Sequence, residues 1–386
     1  MGQQVRGVMS RSRHGSNRER SRGIGLRILQ VAVRRGLLVW LCAAFLVSCK
    51  SGRSGPTVDS APFLPVDVVA SNLVLVGGLV YAAAGKSGLA IIDPATRTLL
   101  KLVPPPSGSG SVDDVAFADG KLFVLDARSP GFLSVFGLVD PRNPALADGP
   151  ISAPVGPYAG VSAAKGLVIV SGGTDELTLW TYSAAGKLGS ETATTDLGRG
   201  QPDVLISADG RLGFVSTHIE GDDFGLTILE LADPPGLVTL GQLLIPGAGF
   251  TGGTAEPASF PIVIAVLDVA TLVVAYGSGL AVIDIADPSS PSIARVVDIG
   301  IEASSVAVFG RVAFVVGCVP APMLVVVDLV DASQPTIVTS LALPTDGRPT
   351  GIDADKDVIA IATNGGGVLI LDRTNPVPPN PPTRTP

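Results

Sequence analysis

The sequence predicts an all-β chain closed into a seven-bladed β-propeller over residues 62–374, with four antiparallel strands to a blade. Three observations predict it. Seven short apolar segments begin at Leu89, Leu133, Leu177, Leu226, Leu280, Leu324 and Val368, at spacings of 44, 44, 49, 54, 44 and 44 residues. A unit of that length holding several short strands is the size of one propeller blade. The composition agrees: 46% of residues are hydrophobic with Val, Ile and Leu dominant, 16% are charged, and 47 glycines and 32 prolines punctuate the chain every few residues, as short strands joined by turns require. The two ends are also complementary. The last unit stops after Asp372 without a fourth strand, whereas a spare strand, Phe63-Leu-Pro-Val-Asp-Val-Val69, precedes the first. Adding that strand to the last blade would close the ring and cover a sheet edge.

Each unit reads the same way from its start. Two upstream strands are joined by a tight turn, as in Ala116–Val124 around Asp119-Gly120, Ile206–Phe214 around Asp209-Gly210, and at Lys165-Gly166. Such dipeptides suit a two-residue hairpin, whose central residues need positive φ. The third strand is the repeated apolar segment. It ends in Asp in Leu89–Asp93, Leu280–Asp284, Leu324–Asp328 and Val368–Asp372, and a proline-bearing trailer follows, as at Asp140-Pro141, Asp287-Pro288 and Asp331–Pro335. A fourth strand, such as Ile337–Leu343, completes the unit. Segments Leu133–Gly137, Leu177–Thr181 and Leu226–Glu230 lack the final Asp.

On Leu280–Asp284 and Leu324–Asp328 with their trailers, the chain resembles the LVIVD-repeat family and, more distantly, other bacterial surface propellers of the YVTN kind. The resemblance spans roughly residues 62–376 and implies a propeller on an exported bacterial protein. It implies no single activity.

The first 48 residues read as a signal peptide with a long basic leading region. Of 27 basic and 34 acidic residues, nine arginines and one glutamate fall there, leaving 18 basic against 33 acidic and a formal charge of −15 for the rest. A body so acidic repels phosphate backbones, so nucleic acid is not an expected partner. Arg34-Arg35 precede a 12-residue apolar run, Leu37–Ser48, too short to span a bilayer comfortably and suited to a signal core. Leu46-Val47-Ser48-Cys49 resembles the bacterial lipobox, which implies that Cys49 is lipidated and becomes the N-terminus. Lys50 follows; the usual sorting logic then implies the outer membrane. Residues 49–61 form a polar tether and 375–386 a proline-rich tail. Only Cys318 would remain free, leaving no intramolecular disulfide.

Propellers bind ligands at the axial mouth, lined by the segments leading into each first strand. Asp113, Asp114, Tyr158, Asp203, Glu302 and Arg348 are therefore the candidate ligand-binding residues, and their acidity suits a basic partner or a cation. The loop His218–Asp223 gathers Glu220, Asp222 and Asp223, oxygen donors that could take Ca²⁺, though it lacks the twelve-residue calcium-loop pattern. No other cofactor is expected. The residues after 48 contain one histidine, His218, and no nucleophile-elbow setting is present. No catalytic residue is assigned. The expected role is a monomeric, lipid-anchored envelope propeller that binds a protein or cell-surface ligand; a calcium-dependent hydrolase of the lactonase kind is the alternative.

Overall fold

The computed structural model describes residues 63–64, 70–108, 110–126, 131–153, 160–172, 176–197, 203–220, 223–231, 236–249, 262–345 and 347–373. Residues 1–48, expected to be a signal peptide, Cys49, the expected tether and the tail lie outside the described residues.

Seven four-stranded antiparallel sheets follow one another along the chain. Strand β1 is Phe63–Leu64. Blade one is β2 (Leu73–Val76), β3 (Leu79–Ala83), β4 (Leu89–Asp93) and β5 (Thr98–Val103). Blade two is β6 (Asp114–Ala118), β7 (Lys121–Asp126), β8 (Gly131–Gly137) and β9 (Ala145–Ala153). Blade three is β10 (Val161–Ala164), β11 (Leu167–Ser171), β12 (Glu176–Tyr182) and β13 (Leu188–Asp196). Blade four is β14 (Val204–Ile206), β15 (Leu212–Glu220), β16 (Asp223–Glu230) and β17 (Val238–Gly249). Blade five is β18 (Val263–Asp268), β19 (Thr271–Tyr276), β20 (Gly279–Asp284) and β21 (Ser292–Asp298). Blade six is β22 (Ala303–Phe309), β23 (Val312–Gly317), β24 (Met323–Asp328) and β25 (Thr336–Ala342). Blade seven is β26 (Arg348–Ala354), β27 (Val358–Asn364) and β28 (Gly367–Asp372), with β1 beside β28 in the register Phe63↔Leu369 and Leu64↔Val368. Residues 65–69 of the spare strand lie outside the described residues.

Every repeated apolar segment is the third strand of its blade. The second and third strands are buried along their whole length in blade one, whereas the fourth strand is largely exposed. A strand covered on both faces by neighbouring blades needs apolar side chains at consecutive positions, not at alternate ones. That is the physical content of the Leu-Ala-Val-Ile run.

The core lies between blades. Each of the seven buried apolar clusters joins two adjacent blades, one cluster to each seam. The seam between blades seven and one joins Ala70, Leu73, Val80 and Ile92 to Ala360, Val368 and Ile370, so chain segments from opposite ends pack together.

The turns follow the sequence reading with one difference. Asp119-Gly120 and Lys165-Gly166 have positive φ at both residues, 48° and 74° and then 49° and 79°, the two-residue hairpin geometry. Asp209-Gly210 instead lies in a longer loop between β14 and β15, where only Gly210 has positive φ. Asp209 there accepts from Ser207 Oγ and the Arg211 amide, so local side-chain bonds hold the wider loop.

The strand-end aspartates cap their own turns. Asp93 Oδ1 accepts from the Ala95 and Thr96 amides, Asp284 from Ala286, and Asp328 from Val330. The trailer aspartates do the same, Asp287 to Ser289 and Asp331 to Ser333. Asp93 adds an ion pair across the seam to Arg142 of blade two, at 3.2 Å. Asp93→Ala is expected to cost about 1–3 kcal/mol, because it leaves turn amides without their acceptor. Asp93→Asn should keep the turn and cost less. Denaturant melts of the two variants give the comparison.

Candidate functional site

The registers align the seven first strands position by position. Asn72, Asp114, Gly160, Asp203, Val263, Ser305 and Gly351 stand opposite equivalent residues of their second strands. Two residues further along each strand, on the same face, come Val74, Ala116, Ser162, Leu205, Ala265, Ala307 and Asp353. These two levels line an axial cavity of about 590 Å³ to which all seven blades contribute.

Three carboxyls project into that lining and stitch neighbouring first strands together. Asp114 Oδ2 accepts from the Val161 amide of blade three, while its Oδ1 accepts from the Val115 amide and from Asn72 Nδ2 of blade one. Asp203 Oδ2 accepts from the Ile264 amide of blade five. Asp353 Oδ2 accepts from the Leu75 amide of blade one, and Oδ1 from Ala354. Ser162 Oγ plays the same part for the Ile206 amide of blade four. In each case the acceptor on one first strand takes an amide of the next one round the ring.

Burial raises the pKa of all three. Asp114 is pushed up to about 6 by desolvation, against the hydrogen bonds from Asn72, Val161 and Val115. Asp203 is pushed up to about 7, again by desolvation first, with the charge of Asp114 adding to it. Asp353 rises to about 6 by desolvation, with Asp355 adding a smaller push. Gly160 stands between the Asp114 and Asp203 positions, so no side chain separates them there.

The residues expected at the mouth divide into groups. Asp114 and Asp203 line the channel as described. Asp113 is half-buried just above it, taking Ser111 Oγ on its carboxylate and Ser71 Oγ on its carbonyl. The Glu302 amide donates to the Val319 carbonyl. Arg348 is exposed at the start of β26. Tyr158 lies outside the described residues. Of the calcium candidates, the backbones of Glu220 and Asp223 pair across the end of the β15–β16 hairpin; their side chains, and all of Asp222, lie outside the described residues. Among the described residues, no group of three or more His, Cys, Asp or Glu side chains is placed to hold a metal ion. Cys318 is buried. Asp353 and Ser162 were not singled out by the sequence. Their signal is period-two alternation from the residue leading into the strand, readable only once the register is known.

Blade four breaks the symmetry. In blade one the second and third strands end their pairing at Ala83↔Leu89. The equivalent pair in blade four, Ser216↔Leu226, is followed by Thr217↔Gly225, His218↔Phe224 and Glu220↔Asp223. Strand β17 extends alongside, to Asp223↔Gly249. Four extra residues at about 3.3 Å each carry this hairpin about 13 Å further on the mouth side. Thr217 and Thr227 hydroxyls bond at 2.7 Å, and Gln242 Nε2 donates to Thr227 at 3.1 Å, which ties the three strands together at its base.

Comparison with known proteins bears on the fold. The LVIVD repeat family model matches residues 272–299, which run through β19, β20 and β21, the second to fourth strands of blade five. No curated protein matches the chain. Among solved structures, a chain of "Crystal Structure of Mitotic Checkpoint Complex" is similar at TM-score 0.59 and 12% identity, covering 84% of this chain and 96% of that one. A chain of "Crystal structure of RRP9 WD40 repeats" gives 0.58 at 12% identity, covering 81% and 96%. A computationally designed protein, Ika8, gives 0.51 at 10% identity, covering 78% and 83%. At these identities the likeness is one of fold. The protein is a seven-bladed β-propeller that carries an LVIVD repeat in its fifth blade.

Proposed function

We propose that the protein is a lipid-anchored propeller of the bacterial cell envelope that binds a protein or cell-surface partner through its mouth face, without catalysis. The observation that carries this reading is the blade-four extension. A sevenfold scaffold needs no longer hairpin in one blade, and lengthened elements on a fixed scaffold are where binding surfaces are built. The acidic residues around the mouth favour a partner with basic groups. The signal-like leader and Cys49 support the envelope address.

Two measurements test it. Mass spectrometry of the mature protein should find Cys49 N-terminal and carrying diacylglycerol, and Cys49→Ser should move the protein from the membrane to the soluble fraction. An intact 1–48 segment on the mature chain would overturn the address. A photo-crosslinking residue at Phe224 or Leu244, on the extension, should capture a partner on intact cells. The same probe at Lys356, in the hairpin loop at the opposite end of blade seven, should not. Capture from Lys356 alone would overturn the mouth-face reading.

A further inference from the structure

The channel carboxyls have a consequence separate from any partner. Asp114, Asp203 and Asp353 bridge the seams between blades two and three, four and five, and seven and one. Their bonds come from backbone amides and, at Asp114, one neutral amide side chain. None of these bonds comes from a basic group.

Among the described residues, the surroundings supply little compensation. Lys165 lines the cavity only at its far end, near Asp119. Asp355 stands beyond Asp353, and Asp113, Glu302 and Arg348 lie at the mouth. Of the second strands packed behind, β7 carries Lys121 and Asp126, β3 carries Tyr81, β19 carries Tyr276, and β15 reaches His218 and Glu220 only at the tip of the extension. Asp268 on β18 is engaged by Arg311 at 3.0 Å. Within the two levels that hold the three carboxyls, the remaining aligned residues are neutral.

We propose that these three carboxyls make the ring proton-responsive: neutral, they lock the three seams they bridge, and charged, they loosen them. The direction follows from the site. A carboxylate there, buried at Asp114 and half-buried at Asp203 and Asp353, loses part of its hydration and shares the cavity with the other two acids, a cost that outweighs the amide bonds favouring the charged form and that the neutral acid largely escapes. The raised pKa values of about 6 for Asp114 and Asp353 and about 7 for Asp203 express the same balance. Between the unfolded value near 4 and these folded values the native ring holds more protons than the unfolded chain. The contribution is therefore fully present below about pH 4 and is lost as pH rises through 6 to 7. The exposed turn aspartates Asp140, Asp287 and Asp331 have lowered values, so their own contribution changes only at lower pH.

The test uses the full folded chain. Its melting temperature should fall by on the order of 5 °C between pH 5 and 8.5. Amide exchange, corrected for its intrinsic pH dependence, should speed up at least about tenfold in β2, β10 and β18, and less at the seam between blades five and six. The triple variant D114N/D203N/D353N keeps an acceptor oxygen at each position and should abolish both effects. Should it not fold, the infrared band of protonated carboxyl groups decides: in the wild type it should persist at pH 5.5, vanish by pH 8, and shrink at pH 5.5 in D203N alone. A wild-type melting temperature that does not fall with pH, a slope retained in the triple variant, or no protonated band at pH 5.5 would each overturn the proposal.

Discussion

Phe123→Ala is expected to lower the free energy of unfolding by about 3–5 kcal/mol. Phe123 lies in β7 with no exposed surface and fills the seam between blades two and three beside Leu125, Val135, Val168 and Trp180. Its ring is 4.7 Å from that of Tyr182, tilted by 53°. Tyr182 is in turn fixed by a 2.9 Å bond from its hydroxyl to Asp119 and by Lys121 above its face at 5.7 Å. Truncation removes the transfer free energy of the ring and leaves a cavity that cannot collapse, because the partner is pinned at both its edge and its face. Trp180 is the sole tryptophan after residue 48 and belongs to the same seam, so its fluorescence reports this packing during denaturant unfolding. Phe123→Leu should recover more than half the loss, and an alanine variant within about 1 kcal/mol of the wild type would contradict the seam as described.

Gly88→Ala should cost a comparable amount, about 3–5 kcal/mol, for a different reason. Gly88 precedes β4 at φ +95°, and an added Cβ would lie 2.0 Å from the Val103 carbonyl oxygen and 2.9 Å from its carbon. Both atoms are backbone of β5, paired with Leu89 in the adjacent position. Relief therefore requires the outer strand of blade one to move, not a side chain to turn. Gly120→Ala is the control. It also has positive φ, but nothing lies within 4 Å of its Cβ, so it should cost only the local backbone strain of about 1–2 kcal/mol. Thermal melts of the two variants separate collision from strain, and equal losses would show that Gly88 has the freedom the structure denies it.

The blades were legible because their chemistry is local. An apolar run of four or five residues, an Asx turn after it and a glycine turn before it each depend on neighbours within a few positions. All seven third strands fall on the repeated apolar segments, including the two after the longer gaps of 49 and 54 residues. The Asp209-Gly210 loop was misread as a two-residue turn because Ser207 and Asp209 hold a wider one together through side chains. The channel was harder to read. Asp113 and Asp114 are adjacent in sequence and looked equivalent, yet strand alternation sends Asp114 into the lining and leaves Asp113 above it. Asp353 was overlooked because it lies inside a strand rather than before one. Its role depends on Leu75, 278 residues away, and no local pattern carries that separation.

That separation sets an order of assembly. Six of the seven seams join blades that follow one another along the chain, so each can form as soon as two successive units are present. The seventh joins Ala70–Ile92 to Ala360–Ile370, with Thr350 bonded to the Ala70 carbonyl across 280 residues. A chain still being made is therefore an open arc with two bare apolar ends. It must keep the earliest face from sticking to a stranger until the last one arrives.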